Sequence, residues 1–169
     1  FRTGYILRTD REEIEISSSI DVSMDDQLIK LIQLQLTALG TTTLADITVS
    51  QFKQAAVFDA AIDVQPFNAR EVAARVAVDL PEMAKADALK QVALKSNIKM
   101  QGEKLQVDDL SLTLDGSTLS GWLHVLNISK QQLRYELAFD HLNINDYLPA
   151  VVEDDDQAPP AAAAGDQDV

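Results

Sequence analysis

The chain has no cysteine among its 169 residues, so neither a disulfide framework nor a thiolate metal site is available to it. That absence is compatible with either side of a membrane and assigns no redox compartment. Aromatic residues make up only 5% of a chain that is 46% hydrophobic, so its apolar surface must be aliphatic, with little to stack on. Bases are scarce too. Fourteen Lys and Arg against 27 Asp and Glu give a net charge of −13, which argues against a phosphate-backbone partner and so against nucleic acid. No apolar run approaches the roughly 18 residues of a spanning helix, and Phe1-Arg2-Thr3-Gly4 does not open like a signal peptide. If the parent protein is exported, its address is expected to lie outside this segment.

The acidity is partly local. Glu153, Asp154, Asp155, Asp156, Asp166 and Asp168 sit together with no base among them, and setting those six aside takes −13 to −7 for residues 1–149. The same tail holds Ala158-Pro159-Pro160 and an alanine run, with no large apolar side chain beyond Val151 and Val152. Such a segment cannot offset its ordering entropy, so residues 150–169 are expected to be a disordered linker or tail. Residues 1–149 are long enough to form one domain.

Within that domain the dominant signal is alternation. Ile14, Ile16, Ile20, Val22 and Met24 alternate with Glu13, Glu15, Ser17, Ser19, Asp21 and Ser23, which puts one side of a strand on apolar surroundings and the other in water. Asp25-Asp26 reads as a turn, and Leu28–Leu39 as the returning strand of a hairpin. Gly40-Thr41-Thr42-Thr43 breaks the pattern, and a third run carries Phe58, Ala60, Ile62 and Val64 on one face, expected to stop at Pro66. Asn68, with Glu71 three positions on, is a variant capping box, and Val72, Ala73, Val76 and Leu80 recur at helical spacing, predicting a helix over 69–80. A shorter helical turn is expected within 82–89, with Asp87 as its cap. Alternation returns at Val92–Met100 and again over 105–114, where a change of apolar phase predicts a bulge at Asp108-Asp109. Asp115-Gly116 marks a turn, and strands over 119–128 and 133–139 complete a meander, the last presenting Leu133, Tyr135, Leu137 and Phe139 to one side. The expected class is α+β but mostly β: a long, curved antiparallel sheet, its strands about 30–40 Å long, with one or two short helices packed on its apolar face.

Several spaced motifs then resemble, in order, the AsmA family of bacterial envelope proteins. They are Pro66-Phe67-Asn68-Ala69-Arg70, Leu80-Pro81-Glu82, Ala88-Leu89, Leu112-Thr113-Leu114-Asp115-Gly116-Ser117-Thr118-Leu119-Ser120-Gly121, and Leu142-Asn143-Ile144-Asn145-Asp146-Tyr147-Leu148-Pro149. The resemblance covers roughly residues 47–149, with Asn145 standing where the family pattern leads one to expect aspartate. It implies a non-enzymatic periplasmic module of a Gram-negative protein, held to the inner membrane by an N-terminal helix and acting in outer-membrane homeostasis. It further implies phospholipid binding or bridging between the two membranes in a β-groove. The alternative is a protein-interaction or assembly factor that influences outer-membrane protein biogenesis through envelope protein partners.

The residues that would contact acyl chains are those of the alternating face: Ile14, Ile16, Ile20, Val22, Phe58, Ile62, Val64, Leu133, Tyr135, Leu137 and Phe139. The competing reading makes each of them core under the helix, which is the commoner fate of an apolar face. Catalytic or metal chemistry has little to stand on. His124 and His141 lack neighbours at ligand spacing. Asp25-Asp26 and Asp108-Asp109 read as turn and bulge rather than as a carboxylate pair, because adjacent strand residues face opposite ways. Asp140, Asn143, Asn145 and Asp146 lack the spacing and glycine of a calcium loop, and no serine sits in a nucleophile elbow. Trp122 reads as a core or edge anchor. No catalytic residue, metal ligand or cofactor is expected.

Overall fold

The computed structural model describes residues 2–8 and 13–149. Among the described residues nine antiparallel strands form one sheet in which spatial order equals chain order. They are β1 (Arg2–Arg8), β2 (Glu13–Ser23), β3 (Leu28–Ala38), β4 (Thr41–Ser50), β5 (Val57–Phe67), β6 (Val92–Gln101), β7 (Lys104–Leu114), β8 (Ser117–Asn127) and β9 (Gln132–Phe139). One helix, α1 (Ala69–Arg75), lies between β5 and β6, and a 3₁₀ turn (Ile144–Tyr147) follows β9. The tail expected to be disordered, 150–169, lies outside the described residues.

The hairpins are tight because their loops carry the backbone that two-residue turns demand. Leu39-Gly40 and Asp115-Gly116 both have positive φ at each central residue (54° and 77°, 47° and 96°), the geometry whose twist matches that of the flanking strands. The first of these loops corrects an expectation. Gly40–Thr43 is not a break between strands: the turn is only two residues long, Thr41 already pairs with Ala38, and Thr43 continues β4 against Val64. Threonine is β-branched and sits comfortably in a pleated strand, so the run belongs to the sheet.

Pro66 does not end β5 as expected. The strand runs on to Phe67, which pairs with Val92, and the register shifts between Val64 and Phe67, so the proline falls in an irregularity where a donor is not needed. The predicted bulge is present, with Asp109 at φ 51° and register shifts on both sides of β7.

The helix is shorter than its apolar spacing suggests. Asn68 caps it, its side chain accepting from the N–H of Arg70 (3.1 Å) and Glu71 (3.4 Å) while its amide donates to Glu71 (2.9 Å). Seven residues later it stops. Ala77 adopts φ 55°, Val78 N–H donates to Ala73 C=O, and Ala77 N–H to Ala74 C=O, which together make a Schellman termination with alanine in place of glycine. Residues 82–89 form hydrogen-bonded turns, with Ala88 N–H donating to Lys85 C=O, and an isolated bridge between Met83 and Pro149, rather than a second helix. Neither segment lids the sheet: α1 buries none of its residues, and its Arg75 lies beside the Gly40 turn at one end of the strands.

Candidate functional site: one apolar face

Because directly opposed residues of an antiparallel pair share a face, the register fixes which side chains stand together. From β2 to β9 one unbroken row reads Ile16, Leu36, Thr43, Val64, Leu94, Leu112, Leu119 and Phe139. A second row on the same face joins Ile20 through Leu31, Ile47, Ala60, Ile98, Val107 and Leu123 to Tyr135. A third contains Val22, Phe58 and Leu133, and Ile62 and Leu137 lie between the first two. Ile14 pairs with Leu7 of β1 and shares the side of Ile16. All eleven residues singled out from the alternation therefore belong to a single face.

The row between the first two carries a finer pattern. Leu34, Ala45, Ile62 and Ser96 are aligned across β3 to β6, and Leu110, Gly121 and Leu137 across β7 to β9, so small and large side chains alternate from strand to strand. The small positions are the buried ones: Ala45 and Ser96, with Ser18 beside the row, are among the few buried residues, at 9%, 7% and 7% exposure. Four of the register shifts fall beside this row, at Ser17/Ser19, Leu31/Leu34, Lys95/Asn97 and Val107/Leu110. Gly121 is required by close approach: at φ 147° an added Cβ would lie 1.9 Å from the Glu136 carbonyl oxygen of the neighbouring strand.

Most of these side chains are exposed rather than enclosed. Among the described residues the buried hydrophobics are only Ala45 and Ala88, and no large side chain is fully buried. Val22, Phe58, Leu133 and Tyr135 are 52%, 45%, 51% and 61% exposed, and Ile16, Ile20, Leu137 and Phe139 are exposed as well, while Ile14, Ile62 and Val64 are half-buried. Among the described residues no second layer packs on this face, whereas a domain normally closes its apolar side with one.

The opposite face is polar and carries several side-chain pairs. Lys95 pairs with Asp63 (2.9 Å), Lys99 with Asp59 (3.6 Å), and His124 Nε2 with Asp108 (2.7 Å). Trp122, expected as a core or edge anchor, stands half-buried on this polar side, its ring 4.6 Å from that of His124 and tilted against it. Asp46 accepts from the N–H of Gln33 (2.8 Å) at the β3 bulge. Asn97 donates to Asp109 (2.8 Å) at the β7 bulge.

One end of the sheet is fastened by a clasp that sequence reading did not assemble. The Asp115 carboxylate accepts from the N–H of Leu89 (2.5 Å) and Gln91 (2.9 Å), and the Tyr147 hydroxyl donates toward it (3.3 Å). Arg70 donates to the Ala88 carbonyl (2.6 Å), Ala69 N–H to Leu89 C=O, Ala84 N–H to Leu148 C=O, and Lys85 pairs with Asp146 (3.7 Å). The separated motifs over 66–70, 80–89, 112–121 and 142–149 thus meet in space. Their spacing was visible in the sequence, but nothing there identified Asp115 as their shared acceptor. Burial of the Tyr147 hydroxyl, reinforced by the Asp115 charge, holds its pKa above the ordinary tyrosine value.

Three of the four polar residues weighed for ion binding, Asp140, Asn143 and Asp146, have side chains engaged by the chain itself. Asp140 accepts from Thr118 N–H (2.7 Å) and His141 N–H (2.6 Å), which lowers its pKa. Asn143 caps the 3₁₀ turn and donates to Asp146 (2.6 Å). Among the described residues no three His, Asp or Glu converge as metal ligands, and no helix is long and apolar enough to cross a membrane. No protein-family model matches the chain, and comparison with curated proteins and with solved structures finds no match.

Proposed function

We propose that this chain is an AsmA-like, non-enzymatic module of the Gram-negative periplasm, part of an inner-membrane-anchored parent, and that its apolar face holds phospholipid acyl chains on their way between the two membranes. The observation that carries this reading is the open face: aliphatic rows spanning β2 to β9, with no large side chain fully buried among the described residues. An apolar patch of that extent is unusual on a soluble monomer and calls for an apolar occupant. An acyl chain suits it because contact with aliphatic side chains is non-directional. Full enclosure would be worth about 0.8 kcal/mol per methylene and would slow release, whereas an open face gives partial burial and permits sliding.

The bulges beside the small-residue row favour a curved groove, since each bulge bends its strand and increases the local twist. The motif resemblance over residues 47–149 supports the envelope assignment. The test is site-specific photocrosslinking in cells from Ile16, Ile62, Leu137 and Phe139, with native mass spectrometry of the purified chain. Phospholipid adducts at these positions and co-purifying lipid are expected. Protein adducts through the sheet edges, with the apolar positions silent and no lipid retained, would replace lipid handling by the assembly-factor reading.

A further inference from the structure

The sheet does not close, so β1 and β9 each leave one side of the backbone without a strand partner among the described residues. Exposed edges are usually blunted by shortness, proline, bulges or charged side chains, lysine above all. β9 has no proline, lysine or bulge in its eight residues, Gln132-Leu133-Arg134-Tyr135-Glu136-Leu137-Ala138-Phe139, all exposed and in regular alternation, and its two charges are of opposite sign. The described chain beyond it does not cover this edge. Residues 140–149 turn back toward the ends of β7 and β8, where Asp140 N–H donates to Thr118 C=O and Tyr147 reaches Leu114 and Asp115.

The sequence of β9 is self-complementary about its centre. Leu133-Arg134-Tyr135-Glu136-Leu137 reads leucine, base, tyrosine, acid, leucine. In an antiparallel pairing with a second copy and Tyr135 opposite Tyr135, Leu133 faces Leu137 on the apolar side, and Arg134 faces Glu136 twice on the polar side. Slipping the register by one residue sets apolar against polar side chains. Slipping by two sets Arg134 against Arg134 or Glu136 against Glu136, and like charges directly opposed are destabilising. Within the chain, neither Arg134 nor Glu136 forms an ion pair with any described residue, so both charges are free for this use.

We propose that two copies of this chain join through β9, edge to edge and antiparallel, about a two-fold axis at Tyr135. The axis stands perpendicular to the sheet, so both apolar faces lie on the same side and the nine strands of each copy continue into one another. The pairing is isologous and closed: β9 is consumed once per copy, and β1 stays at the outer rim. Its small extent makes it a weak, concentration-dependent dimer. At roughly 0.15 M salt the screening length is about 8 Å, so charges of the two copies farther apart than that are largely screened while the Arg134–Glu136 pairs at the seam are not.

Sedimentation velocity of the full 169-residue chain over a concentration series, with charge variants, decides the matter. A monomer–dimer equilibrium is expected for the native chain. Arg134→Glu or Glu136→Arg alone should raise the dissociation constant by on the order of tenfold or more, because each places two like pairs across the axis. The double variant restores opposite pairs and should restore the dimer, and an equimolar mixture of the two single variants should form a heterodimer. Since the chain has no cysteine, Tyr135→Cys gives an independent reading of register: oxidation should yield a covalent dimer, whereas Arg134→Cys should not. A chain that stays monomeric throughout, a dimer indifferent to these charges, or an open-ended ladder of β1-to-β9 contacts would overturn the proposal. The outcome is independent of whether the apolar face carries lipid.

Discussion

At the residue scale two side-chain environments carry more than their share of the fold. Gly121 admits the Glu136 carbonyl so closely that any Cβ must push β9 away from β8. Gly121→Ala is expected to cost about 3 kcal/mol or more, through strain at positive φ and the displaced backbone, read as a lower urea midpoint with early exchange of β9 amides. Asp115 is the other. Asp115→Ala strands two backbone donors, leaves the Tyr147 hydroxyl with the Leu114 carbonyl alone, and should cost roughly 2–3 kcal/mol. Asp115→Asn, which keeps an acceptor and tolerates the same φ, should cost less in the same melt.

Tyr147 adds a pH dependence to that clasp. Its folded pKa lies above the ordinary value of 10.0, so the unfolded chain loses its proton first as pH climbs. The contribution is therefore whole below about pH 10 and declines as pH rises from there through the raised folded value. The difference in phenolate absorbance between native and Tyr147→Phe protein should appear later in an alkaline titration than for free tyrosine, and a coincident curve would refute it.

At the scale of elements, the strands that were legible are those with uninterrupted alternation. β2, β3, β6, β7, β8 and β9 follow from period two and from the Asp25-Asp26 and Asp115-Gly116 turns. β4 escaped because its start is a threonine run directly behind a glycine, and β5 outran Pro66 because a bulge removes the need for its missing donor. α1 was overextended because its apolar spacing continues past Arg75, whereas alanine at positive φ, an uncommon choice, ends it at Ala77. Ala77→Gly should therefore stabilise the protein by about 0.5–1 kcal/mol, since glycine takes that conformation without a Cβ penalty. An unchanged or lower melting temperature would contradict this account. The membership of the apolar face was readable from alternation alone. Its exposure was not, since periodicity reports which side chains share a face and says nothing of what lies over them.

At the scale of the whole molecule, the sheet is one layer thick. A folded protein of this form should enhance the fluorescence of an apolar dye at neutral pH while keeping a cooperative melt, a combination that compact two-layer domains do not show. Phospholipid vesicles should suppress that signal by competition. A native chain silent toward the dye would mean that the face is covered in solution.

Spatial order that equals chain order has one more result. Every strand is stitched only to the strands before and after it, so the sheet behaves as a ribbon woven row by row, with no thread crossing back. A hairpin added or removed at a margin leaves all remaining stitches in place. Width is then a quantity that duplication or deletion can adjust without inventing a new fold, and span can be matched to whatever gap such a ribbon must cross.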